Sequence, residues 1–151
     1  MLIRQIATAG DCVHVIGLAQ RMANESPAYT RYEFDGFKVG NIAKQCIYDP
    51  DYQCLLAFKD EKPIGFMAYA CFSMLFSKAR TVDDLALYVL PEHRGSLAGP
   101  LMVKRCVNWA KQQGASEVRL GITTEIDNSR VEKLFNRLGL ATSGKLCRAI
   151  L

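Results

Sequence analysis

The chain has 151 residues, half of them hydrophobic and 23% charged, which suits one domain with a sizeable core and excludes a disordered chain. Its net charge of +4 suits an anionic ligand, but the 19 basic residues are scattered, and no basic stripe argues for nucleic acid. The longest apolar run, Ile64–Phe76, falls short of the ~20 residues a bilayer span requires, and the first residues lack the pattern of a signal peptide.

No linker, repeat or low-complexity tract interrupts the chain, so a single domain over 1–151 is expected. Residues 2–7 alternate as a first strand. Asp11 is placed to cap a helix reaching about Asn24, with Cys12, Val15, Ile16, Ala19 and Ala23 inward. "ESPAYTRYEFDG" reads as an aromatic-rich loop. Asp35 then caps a second helix with Val39, Ile42, Ala43 and Cys46 inward, ended by "YDPDY". Gln53–Phe58 and Ile64–Phe72 read as a hairpin around "KDEKP", and Val82–Leu90 as a third strand.

Pro100 is expected at the first position of a long helix, where its missing N–H costs nothing. Met102, Val103, Cys106, Val107 and Ala110 form that helix's buried stripe, and Gly114 ends it. Glu117–Ile122 is a further strand. "SRVE", 129–132, fits a capping box before a helix with Val131, Leu134, Phe135 and Leu138 inward. Leu140–Leu151 closes the chain as strand. The expected order is β-α-α-β-β-β-α-β-α-β, an α/β (α+β) fold with a mixed sheet and helices on both faces.

The six cysteines form no Cys-x-x-Cys pair, and only two histidines, His14 and His93, accompany them. That spacing makes no metal site. Most of the thiols fall at apolar positions of periodic segments and are read as reduced core residues, so a cytoplasmic location is expected.

One stretch carries chemistry. "LYVLPEHRGSLAGPLMV" runs from a strand through a turn with Arg94, Gly95 and Gly99 into a helix. Such a turn presents unpaired backbone N–H groups at the positive end of the helix dipole, where phosphates bind. The alternative is a plain strand-to-helix connection. The turn has no Gly-Lys-Ser/Thr end, which argues against ATP or GTP.

With this order and turn, the sequence resembles the GNAT superfamily of acyl-CoA N-acyltransferases over essentially its whole length. The family window Arg/Gln-x-x-Gly-x-Gly/Ala reads "RGSLAG" at 94–99, and "NSRVEKLFNRLGL" at 128–140 matches a second family segment. The resemblance implies a mostly antiparallel central sheet, acetyl-CoA as co-substrate and no metal. The diphosphate is expected on Arg94, Gly95, Ser96, Leu97, Ala98 and Gly99, and the pantetheine arm beside Leu85–Val89. A backbone N–H among Leu87, Tyr88 and Val89 is expected at the thioester carbonyl, and Asn128 at the cofactor. Lys104 and Arg105 are within reach of the ribose phosphate in this reading, or are ordinary helix-surface cations. The sequence departs from the family pattern at three places. Leu97 replaces a glycine, Pro100 removes an N–H, and Phe135 stands where a proton-donating tyrosine is usual.

Transfer to an amine requires the neutral amine and therefore a base. Asp84, Asp83 and Glu25 are the candidates. Adjacent strand residues face opposite sides, so at most one of the two aspartates points at the acceptor. Both also read as solvated residues at a strand start, and Glu25 as a helix-end carboxylate. Tyr29, Tyr32 and Phe34 either line the acceptor pocket or pin their loop. No cysteine sits where a covalent intermediate would form. The implied activity is N-acetylation of a primary amine, on a small molecule or a protein, by direct attack in a ternary complex. The alternative is a weakly catalytic relative that keeps the cleft as a binding or interaction module. Dimerisation is common in look-alike families, but no self-complementary surface is legible.

Overall fold

The computed structural model describes Met1–Leu151. Strand β1 (Leu2–Gln5) pairs antiparallel with β2 (Tyr52–Lys59), β2 with β3 (Lys62–Ser73) and β3 with β4 (Arg80–Val89). Strand β5 (Glu117–Arg119) lies parallel to β4, giving one sheet of order β1-β2-β3-β4-β5. Helices α1 (Ala9–Glu25) and α2 (Gly36–Tyr48) pack against each other and against one face, and α3 (Ala98–Gln112) crosses the other. Helix α4 (Asn128–Arg137) follows β5. No helix is long and apolar enough to cross a membrane.

Local chemistry explains most boundaries. The cap of α1 is Thr8 rather than Asp11: the Thr8 hydroxyl accepts the Asp11 N–H, and the Asp11 carboxylate accepts the Thr8 N–H at 3.2 Å. Asp11 also takes both terminal nitrogens of Arg4, at 2.7 and 2.9 Å, which holds its carboxyl well below the usual range. The inward stripe of α1 is Cys12, Val15, Leu18 and Met22. Asp35 caps α2 as expected, accepting the Lys38 N–H at 3.0 Å. The β2–β3 hairpin turns on Asp60 and Glu61, both at positive φ (49° and 63°), the twist that a two-residue hairpin favours.

Helix α3 starts two residues before Pro100, so the proline occupies the third helical position. Its N–H is still one that no helical carbonyl would receive. Trp109 of α3 meets Tyr69 of β3 edge-on, with ring centroids 5.3 Å apart, and so helps fix the α3 face of the sheet. Helix α4 is capped by Asp127 at φ 48°, not by the expected Ser129 box.

Two expected strands are corrected. Ladder pairing of β5 ends at Arg119 instead of Ile122, because the Gly121 N–H is donated to the Asp84 carboxylate at 2.8 Å rather than to a strand. Leu140–Leu151 forms no strand. Its apolar residues Leu146 and Ile150 stay exposed, and the three-residue β5 offers little edge to extend.

Candidate functional site

The site begins with an irregularity in β4. Ala68 pairs with Ala86, but Tyr69 pairs with Asp84, leaving Leu85 bulged. Cross-strand partners share a face. Tyr69 meets Trp109 of α3, so Asp84 belongs to the α3 face, while Tyr88 reaches Glu25 of α1 on the other. In an unbroken strand Asp84 and Tyr88 would share a side; the bulge separates them.

The second feature is a split. β4 and β5 pair only from Thr81–Glu117 to Asp83–Arg119. Beyond that, the edge of β4 from Asp84 to Val89 has no strand partner on the β5 side, and the chain at Gly121–Thr124 diverges. Asp84 sits at the fork, and burial pushes its carboxyl up to about 6. The split opens a cavity of about 420 Å³ lined by the free β4 edge, the turn at His93–Ser96, Gly99 and Pro100 of α3, and one face of α4. Met22 and Tyr29 close it from the α1 side.

The turn is built to leave donors free. His93, Arg94 and Ser96 give their N–H groups to the carbonyls of Leu90, Pro91 and His93, and Ala98 gives its own to the Ser96 hydroxyl at 3.3 Å. The N–H groups of Gly95, Leu97 and Gly99 have no intramolecular acceptor. Gly95 adopts φ 89°, and a Cβ there would stand 3.0 Å from Nη2 of Arg130. The positive φ is what calls for glycine, since the neighbouring guanidinium is the mobile end of a long side chain that can shift by a few tenths of an ångström. Leu97 turns its side chain to solvent, 67% exposed, which is how the chain accommodates it where the family pattern has glycine.

Arg94 faces away from those donors. Its Nε donates to the Val89 carbonyl at 3.0 Å, and its terminal nitrogens bind both Glu25 oxygens at 2.5 and 2.7 Å. The Tyr88 hydroxyl donates to the same carboxylate at 2.8 Å. Arg94 holds the Glu25 carboxyl below its ordinary value, and burial together with Glu25 pushes Tyr88 up to about 12. This cluster fastens the end of α1 to the turn. Ser26, fully buried, donates to the Thr124 carbonyl and ties the loop after α1 to the diverging segment.

Among the residues singled out by sequence, Asp84, Leu87, Tyr88, Val89, Arg94, Gly95, Ser96 and Gly99 come together around the cavity. Glu25 lies just behind it, bound to Arg94. Asp83 is turned to Arg119, which donates at 2.7 and 2.9 Å, and does not line it. Neither do Leu97, Ala98 or Asn128; Ala98 is buried in the core and Asn128 is exposed. Lys104 and Arg105 are also absent from the lining, whereas Arg130, Lys133 and Arg137 of α4 are present. Those three were not singled out by sequence, although their spacing of three and four residues was a legible signal for one helical face. Phe135 is buried against the cavity and has no proton to give.

The acetyltransferase (GNAT) family model matches residues 17–140. The chain is 28% identical to thialysine N-epsilon-acetyltransferase of Bos taurus over 150 residues, covering 92% of this chain and 83% of that protein. Its fold is similar to that of the aminoglycoside N-acetyltransferase AAC(6')-Iy, solved with the bisubstrate analogue CoA-S-monomethyl-acetylneamine (TM-score 0.80, 16% identity, 99% of this chain and 97% of that one). It is also similar to a ribosomal-protein-alanine N-acetyltransferase from Brucella melitensis biovar Abortus 2308 (TM-score 0.71, 18% identity, 99% and 100%).

Proposed function

The chain belongs to the acetyltransferase (GNAT) family, and we propose on that footing that it transfers the acetyl group of acetyl-CoA to a primary amine. One observation carries the reading: the turn holds three unpaired backbone N–H groups, those of Gly95 and Gly99 on the cavity wall and that of Leu97 between them in sequence, beside an unpaired strand edge. The first set suits a diphosphate at a helix start. The second suits an extended arm that adds itself as a strand and brings the thioester to the fork. A backbone N–H of Leu87–Val89 would meet the carbonyl oxygen as charge develops there.

Asp84 is the base in this reading. Of the three candidate carboxylates it alone lines the cavity, and with a pKa of about 6 it is largely ionised at neutral pH yet close enough to accept a proton well. Glu25 is committed to Arg94 and Tyr88, and Asp83 to Arg119. The neutral amine attacks the thioester carbon, its proton passes to Asp84 directly or through water, and the C–S bond breaks. With Phe135 in place of a donor, coenzyme A leaves as its thiolate, which a thiol pKa near ~8.5 permits. The six free thiols accord with a cytoplasmic setting.

The acceptor class is tested by thiol release from acetyl-CoA over a panel holding a lysine analogue, an aminoglycoside, a polyamine and a peptide with N-terminal alanine. Turnover with at least one amine is expected. Phe135 favours a second reading, a cleft that binds acetyl-CoA without using it. Tight binding with no turnover on any amine establishes that reading and overturns the first.

A further inference from the structure

Six arginines of this protein are held by carboxylates within 4.0 Å: Arg4, Arg21, Arg80, Arg94, Arg119 and Arg148. Arg94, in the turn itself, is among them, so its guanidinium is already spent on Glu25. The cations that border the cavity and make no ion pair lie on α4: Arg130, Lys133 and Arg137. At 3.6 residues per turn they fall within about one-sixth of the helix circumference and span about 10 Å along it. The apolar Val131, Leu134 and Leu138 occupy the neighbouring arc and pack on the core, with Val131 and Leu134 also reaching the cavity wall.

Arg130 is placed against local preference. It stands in the first turn of α4, at the positive end of the helix dipole, where a cation is disfavoured. Its guanidinium nevertheless reaches over Gly95, 3.0 Å from the site of a Cβ, beside the unpaired N–H groups. Breaking a local rule at the edge of a cavity marks a ligand contact. Lys133 and Arg137 continue the same row away from the turn.

We propose that this row reads the cofactor's phosphates: Arg130 engages the diphosphate, and Lys133 with Arg137 engages the ribose 3′-phosphate, so the protein selects 3′-phosphorylated CoA over its dephospho form. The inference rests on the acetyl-CoA reading above. It also assigns Arg94 a positioning role, holding Glu25, Tyr88 and the turn together rather than touching phosphate.

Calorimetric titration with CoA and with 3′-dephospho-CoA, at one low salt concentration, tests it. The unmodified protein is expected to bind CoA roughly tenfold or more tightly than the dephospho form, the scale of a charge-assisted contact. The Lys133→Gln/Arg137→Gln double variant should lose that preference while binding dephospho-CoA as before. Arg130→Gln should weaken both ligands alike. A Lys104→Gln/Arg105→Gln variant should keep the preference, since those cations do not line the cavity. Equal affinity of the unmodified protein for both ligands, or a preference that survives the α4 double variant, overturns the assignment and leaves the acetyl-CoA reading intact. Failure of the unmodified protein to bind either ligand overturns both.

Discussion

The two ends of the sheet are built differently. From β1 to β4 the strands pair along most of their length, and β2 and β3 bury a run of residues on both faces, including Leu56, Ala57, Met67 and Tyr69 at 0% exposure. From β4 to α4 the ladder lasts three residue pairs, α4 buries only Phe135, and residues 141–151 are exposed. The first region, apart from the short outer edge of β1, satisfies its strand backbone groups within the sheet and supplies stability. The second leaves donors and a strand edge without partners, and that unmet capacity is what a ligand can use. Asp84 stands on the boundary, where a side chain replaces a ladder bond and holds the fork.

The largest effect that would sharpen this contrast is expected at Asp84. Asp84→Asn should lower kcat by about 10²–10⁴, the usual range for losing a positioned base. The same change should stabilise the protein at pH 7. Burial raises the folded pKa of Asp84 to about 6, so the buried charge disfavours folding above that pH. The penalty fades as pH falls toward about 4, the unfolded value. A stability gain of about 2 kcal/mol at pH 7, absent at pH 4 in urea titrations, is the expected outcome. A variant of unchanged kcat removes Asp84 from the chemistry.

Next comes the paired region. Leu56→Ala, at a fully buried position, should cost about 2–5 kcal/mol by thermal or urea unfolding. The affinity of the remaining folded protein for acetyl-CoA should hardly change. A loss of affinity larger than the loss of stability would break the division between the two regions.

Glu25→Gln gives the smallest of these effects. It removes a charge from the half-buried pair with Arg94 and should cost about 1–3 kcal/mol at pH 7. Arg94 lowers the folded pKa of Glu25, so this stabilisation is present above the unfolded value near ~4.3 and is lost as pH falls through the folded one. The difference between variant and parent should therefore close in acid. If kcat fell while KM and stability stayed the same, Glu25 and not Asp84 would be the base.

How much was legible follows from range. Helices α1 and α2, the three-strand meander and α3 could be read from periodicity, because a stripe of apolar residues states its own period within a dozen positions. The turn could be read because Gly95 and Gly99 stand between a strand pattern and a helix pattern. Caps were missed by a few residues, Thr8 for Asp11 and Asp127 for Ser129, since several neighbouring oxygens can serve each helix start. The closing strand failed because alternation in Leu140–Leu151 states a preference but not the existence of an edge to pair with.

The chain order alone determined most of the helices and strands up to α4 and the family, and it pointed to the turn where unpaired N–H groups would gather, all of them properties of residues close in sequence. Folding in three dimensions decided who meets whom. Glu25 claims Arg94 from 69 positions away, the Leu85 bulge sets Asp84 apart from Tyr88, and the row on α4 comes to border a cleft whose other wall is β4. Each depends on which distant partner takes a hydrogen bond or a charge, and no local pattern carries that information.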